Sequence, residues 1–125
     1  MTAPLTVAEC NRLTGQLAEQ LRQDCYEARR IGYKPKLFLA MLSKDGPAAA
    51  CRQVIMSVKI PDGFMRLLEL KRLDLTAEAA VLRGPWRALF GEEVLSQARS
   101  RLRSYDREDL AISSIPSFRD LGIVK

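Results

Sequence analysis

Apolar residues recur at intervals of three and four along most of this chain, and glycines and prolines cut the pattern into short segments. Cys10, Leu13, Leu17, Leu21, Cys25 and Ala28 form one such stripe, as expected of an amphipathic helix with one face on a core. Thr6 and Glu9 precede it in a T-x-x-E arrangement, where the threonine hydroxyl accepts from the backbone N–H three residues on and the glutamate reaches back. The spacing predicts a helix from this box to about Arg30, where Gly32 and Pro35 stop it. Pro35 suits the first turn of a second helix, PKLFLAMLSK, which Asp45 and Gly46 close.

Pro47 opens a third predicted helix, PAAACRQVIMSVK, with Cys51, Val54, Ile55 and Val58 on one face. After IPDG, Asp62 is the expected N-cap of a fourth helix, with Phe64, Leu67, Leu68 and Leu70 inward and Arg66, Lys71 and Arg72 toward solvent. Asp74 or Thr76 caps a fifth, which buries Ala79, Ala80, Val81 and Leu82. Gly84 and Pro85 break the chain again, and Trp86, Leu89 and Phe90 form a short anchoring turn. Gly91 starts the last helix, EEVLSQARSRLRSYD, whose acids at the N-terminus and arginines at the C-terminus complement the helix dipole. From Arg107 the helical period is lost. The expected fold class is all-α, a compact bundle of about five or six short helices over residues 1–106 with an extended C-terminal tail at 107–125, docking or partly disordered.

Composition agrees with that class. Of the 125 residues, 47% are hydrophobic and only 6% aromatic, and a core of Leu, Ala, Val and Met suits helix-on-helix packing better than stacked strands. The length is that of one domain. Cys10, Cys25 and Cys51 are odd in number and far apart, which argues against a disulfide framework or a C-x-x-C site and for reduced thiols in a cytoplasm. No apolar run approaches the roughly 18 residues of a membrane span, and MTAPLTVAEC lacks the features of a signal peptide. A cytoplasmic protein with no membrane partner is expected.

Histidine is absent, which removes the commonest general base and a usual zinc ligand. Asp74 and Glu78 are four apart, and Asp106, Glu108 and Asp109 are bunched, so paired carboxylates could hold a divalent ion or exchange a proton. Capping and solvation explain these acids more simply, since they sit at a helix start or beside arginines. The cysteines lie on apolar stripes without a partner base and read as packing atoms. No catalytic residue, metal site or cofactor is expected, and the chain is read as non-catalytic.

The run YKPKLFLAMLSKDGPAAACRQVI…PDGFMRLLELKRLDLTAEAAVL…PWRALFGEEVLSQARSRLRSYD, Tyr33 to Asp106, resembles a short uncharacterised bacterial helical module found nearly alone or appended to larger proteins, some of them nuclease-like. The resemblance implies a compact all-helical accessory domain in a nucleic-acid or defence context, and it carries no functional residues with it.

Net charge is +5, and its distribution matters more than its sum. Arg29, Arg30, Lys34, Lys36 and Lys44 fall in a run from Ala28 to Lys44 that holds no acid, with Tyr33 within it and Tyr26 two residues before it. Such a cluster, where one helix ends and the next offers free N–H groups, suits a phosphate backbone. Arg99, Arg103 and Arg107 recur every four residues along the last helix. The plainer reading of both clusters is a solvated helix face. A helix-turn-helix over residues 47–72 is disfavoured, because SVKIPDG is long for its turn and the fourth helix too apolar for a major groove. Two functions are expected from these residues. The first is a nucleic-acid-binding accessory protein or subunit of a bacterial or phage defence-related complex, binding DNA or RNA through Arg29, Arg30, Tyr33, Lys34, Lys36, Arg99 and Arg103. The second is an interaction module, an assembly subunit or an inhibitor of a defence complex, whose basic surface meets an acidic protein partner. Its apolar tail, with Leu110, Ile112, Ile115 and Phe118, can then support a homo-oligomer.

Overall fold

A computed structural model of the chain describes residues 5–105 and Arg107. Within them run six α-helices, α1 (Val7–Arg30), α2 (Lys36–Asp45), α3 (Pro47–Ile55), α4 (Asp62–Glu69), α5 (Ala77–Val81) and α6 (Glu92–Arg103), with 3-10 turns at Leu73–Leu75 and Pro85–Leu89. No strand occurs among the described residues, and the fold is all-α. No helix among them is long and apolar enough to cross a membrane.

The local signals in the chain set most element ends. Glu9 donates its N–H to Thr6 Oγ1 at 3.0 Å and Thr6 donates its own to Glu9 Oε1 at 2.8 Å, so the predicted capping box starts α1. At the other end Gly32 N–H donates to the Arg29 carbonyl and Tyr33 N–H to the Ala28 carbonyl, with Gly32 at φ 106°. This is the Schellman pattern, which needs a left-handed residue and finds glycine there. The same pattern ends α4, with Lys71 N–H on Leu68 and Arg72 N–H on Leu67, but the left-handed residue is Lys71, at φ 60°. Thr76 rather than Asp74 caps α5, through Ala79 N–H on its hydroxyl.

The core gathers around α5, whose residues from Glu78 to Val81 are buried, as is Leu82 after it. Leu13, Leu17 and Leu21 of α1, Cys51 and Ile55 of α3 and Val94, Ala98 and Leu102 of α6 close on it. Small residues at 79 and 80 let these longer helices approach closely. Trp86 plugs in as predicted, buried, with its indole N–H donating to the Ala80 carbonyl at 2.7 Å.

Three expectations are corrected. The third helix ends at Ile55, and Val58 is fully exposed rather than on the inner face. Ser57 Oγ lies 2.7 Å from the Val54 carbonyl and 2.8 Å from the Lys59 carbonyl, within donating reach of either, a local side-chain alternative to further helical bonding. Asp62 is the first residue of α4, not its N-cap; Pro61 occupies that position and its carbonyl accepts from Phe64 and Met65. Arg72 does not simply reach solvent but is drawn to Glu27 and Asp74. The extended tail, the self-association through it and the Asp106, Glu108 and Asp109 group concern residues outside those described, apart from Arg107, whose N–H donates to the Leu102 carbonyl.

Candidate functional site

The α1–α2 junction is built by the two bonds that end α1. Holding Tyr33 N–H on Ala28, they swing the chain so that Tyr33, Lys34 and Pro35 pass directly into α2, which has no side-chain N-cap. Behind the junction lies a cavity of about 400 Å3, within the size range of small-molecule sites. Its exposed lining residues, Lys34, Lys36, Leu37 and Asp62, mark a mouth. Its buried ones, Leu21, Asp24, Ala28, Phe64, Leu67 and Glu78, mark a floor.

Tyr33 forms part of the wall, half-buried, and its hydroxyl stands so near Gly63 that a Cβ there would lie 2.5 Å from the oxygen. Glycine at the start of α4 is what admits the phenol. Burial raises the Tyr33 hydroxyl above its ordinary pKa. Phe64, on the next turn of the wall, is held from the far side by Tyr105, with ring centroids 5.5 Å apart.

Asp24 is the unusual member. Its side chain is 8% exposed; Oδ1 accepts from Gln20 Nε2 at 2.9 Å and lies 3.6 Å from Arg83 Nη1. Oδ2 is buried with no hydrogen-bond partner, a state that costs free energy unless something fills it. Burial pushes the carboxyl above its usual range, with Arg83 opposing. The adjacent Cys25 thiol is pushed up to about 11, chiefly by burial, which makes it a poor nucleophile. Cys51 is raised further for the same reason.

Of the basic residues read from the sequence, Tyr33, Lys34 and Lys36 line the cavity together. Arg29 lines a second, more open depression with Tyr26, Glu27 and Arg72. Arg30 belongs to the same junction but is bound by Glu27 at 3.0 Å. Glu27 also takes Arg72 at 3.2 Å, and the two arginines hold its carboxyl below the ordinary range. No ion pair holds Arg29, Lys34 or Lys36 among the described residues. Arg99 and Arg103 sit apart from this group, on α6, which packs on α5 and α3. Arg99 is bound to Glu92 at 3.0 Å on its own helix.

Of the carboxylates weighed from the sequence, Asp74 and Glu78 are engaged by different arginines. Asp74 accepts from Arg72, while Glu78 is 3% exposed and bound by Arg101 at 2.8 Å. No cluster of three acidic or sulfur ligands suited to a metal occurs among the described residues. Sequence reasoning did not find Asp24, nor the burial of Glu78 and Arg101. The available signal was position: Asp24 lies between Leu21 and Ala28, and Arg101 three residues after Ala98, each on the buried stripe of its helix. A charged residue on an apolar stripe has either a partner or a ligand.

No family model, curated protein or solved structure matches this chain.

Proposed function

We propose that this protein is a non-catalytic nucleic-acid-binding accessory protein or subunit, gripping phosphates at the α1–α2 junction. The observation that carries the reading is that Arg29, Lys34 and Lys36, near the end of α1 and the start of α2, are in no ion pair among the described residues, Lys34 and Lys36 lining one cavity with half-buried Tyr33 and Arg29 a second depression with exposed Tyr26. Cations set beside the start of an uncapped helix suit phosphate, and rings beside them suit unpaired bases. Arg30 contributes less than its charge suggests, because Glu27 shares it. Arg99 and Arg103 are a secondary patch. A role in a bacterial or phage defence-related complex rests on the resemblance of Tyr33 to Asp106 alone.

The test is fluorescence anisotropy with short single-stranded oligomers across a salt series. Affinity should fall with a log-log slope of about −0.7 per phosphate contacted. The combined Arg29→Glu, Lys34→Glu and Lys36→Glu variant should lose most of the affinity and keep its helicity. Unchanged binding by that variant would remove the assigned surface.

A second reading, an acidic protein partner, is favoured by one observation. Leu37, beside Lys36 at the cavity mouth, is 78% exposed, and an apolar spot flanked by lysines suits an acidic, partly apolar segment. Binding of acidic peptides without binding of oligomers would decide for it.

A further inference from the structure

Each of the described α-helices except α2 buries apolar side chains in the core. α2 buries none, although Leu37, Phe38, Leu39, Met41 and Leu42 all fall on it. It leans chiefly on α3. Leu37, Phe38 and Met41, which share a face by their spacing of three and four, line the cavity along with Leu21 and Ala28 of α1 and Phe64 of α4. Protein interiors are close-packed, with few voids larger than a water. A space of about 400 Å3 between the apolar side chains of three helices is therefore room for a ligand.

The polar side chains of the floor are already engaged. Glu78 is bound by Arg101, and the Thr76 hydroxyl donates to the Leu73 carbonyl and accepts from Ala79 N–H. Asp24 meets Gln20 and Arg83 through Oδ1, and its Oδ2 is shut away from solvent. A polar body would give up its water there without replacement, so the interior suits a hydrocarbon. The mouth differs. Lys34 and Lys36 are exposed there, in no ion pair among the described residues, and outnumber Asp62. On a chain of net charge +5 they select an anionic head group over a cationic one.

We infer that the cavity binds one fatty acid, its alkyl chain against Phe38, Met41 and Phe64 and its carboxylate at Lys34 and Lys36. If a methylene takes about the ~30 Å3 of a liquid water, the cavity holds roughly a dozen carbons. The inference goes beyond nucleic-acid binding and stands without it, sharing only the two lysines.

The experiment is calorimetric titration of the full chain with octanoate, decanoate, dodecanoate and hexadecanoate below their micelle concentrations, and with decyltrimethylammonium. One site per chain is expected, with affinity rising about fourfold per added methylene and levelling off beyond about twelve carbons as the cavity fills. Decanoate should bind more tightly than decyltrimethylammonium. Lys34→Gln with Lys36→Gln, at two exposed positions, should remove that preference and keep the dependence on chain length. Met41→Trp, which fills the cavity, should weaken every chain; the series on the unsubstituted protein decides even if this variant fails to fold. Affinity independent of chain length, or no binding at all, overturns the inference, as does equal affinity for the cationic amphiphile. Binding that emerges only in an Ile115→Ser, Phe118→Ser variant also overturns it, and gives the cavity to the chain's own C-terminal residues.

Discussion

Arg101 of α6 and Glu78 of α5 form an ion pair 2.8 Å long in the interior, with 5% and 3% of their side chains exposed. The same guanidinium donates to the carbonyls of Val54 and Ser57 at the end of α3, so one side chain ties three helices. It also satisfies carbonyls that α3 leaves open by stopping at Ile55. Burial raises the Glu78 carboxyl and the Arg101 contact lowers it, the burial effect being the larger.

Removing either partner leaves the other's buried charge unpaired, and removing Arg101 also takes a donor from the Val54 and Ser57 carbonyls. Arg101→Met is expected to cost about 3 to 5 kcal/mol, read as a lower urea midpoint with an unchanged slope. The double variant Glu78→Leu with Arg101→Met should recover part of that loss, since two apolar chains leave no unpaired charge. A double variant as unstable as the sum of the singles would show that the backbone carbonyls of Val54 and Ser57, not Glu78, are what Arg101 chiefly serves.

Asp24 gives a pH dependence with a definite sign. Its folded pKa is raised by burial, so the folded protein holds that proton to higher pH than the unfolded chain does. The stability it contributes is therefore full below the unfolded value of about 3.9 and is lost as pH rises through the folded value. Asp24→Asn should match the unsubstituted protein at about pH 3.5 and exceed it in melting temperature at about pH 7. A variant less stable at neutral pH would mean that the Arg83 contact outweighs burial.

Lys71 occupies the left-handed position that ends α4, at φ 60°, where a side chain is disfavoured. It is exposed, so nothing is lost from the core by removing it. Lys71→Gly is expected to stabilise the protein by about 1 kcal/mol, measured by thermal melting. A decrease would show that the unfolded chain gains more freedom from glycine than the turn gains relief.

How much of this was readable beforehand follows the range of each interaction. The Thr6–Glu9 box, the stop at Gly32, the Thr76 alternative and the Trp86 anchor depend on residues within about six positions of one another, and short-range geometry is written in order along a chain. The all-α class follows from the same local periodicity. Lys34 and Lys36 share a cavity mouth because they stand two apart in one junction, whereas Arg29, close to them in sequence, lines the other depression. The chain by itself could not rank its charges. Arg99, Arg101 and Arg103 look alike in RSRLR, yet one is bound to a glutamate seven residues back and another is buried on one 23 residues away. Val58 continues a stripe by spacing and ends in solvent, because Ser57 turns the chain first. Asp24, Tyr33 and Phe64 meet around one cavity only when α1, the junction and α4 are brought together. Local hydrogen bonding determined the helices; which charges lost their water, and what space was left between apolar faces, was decided only when those faces packed.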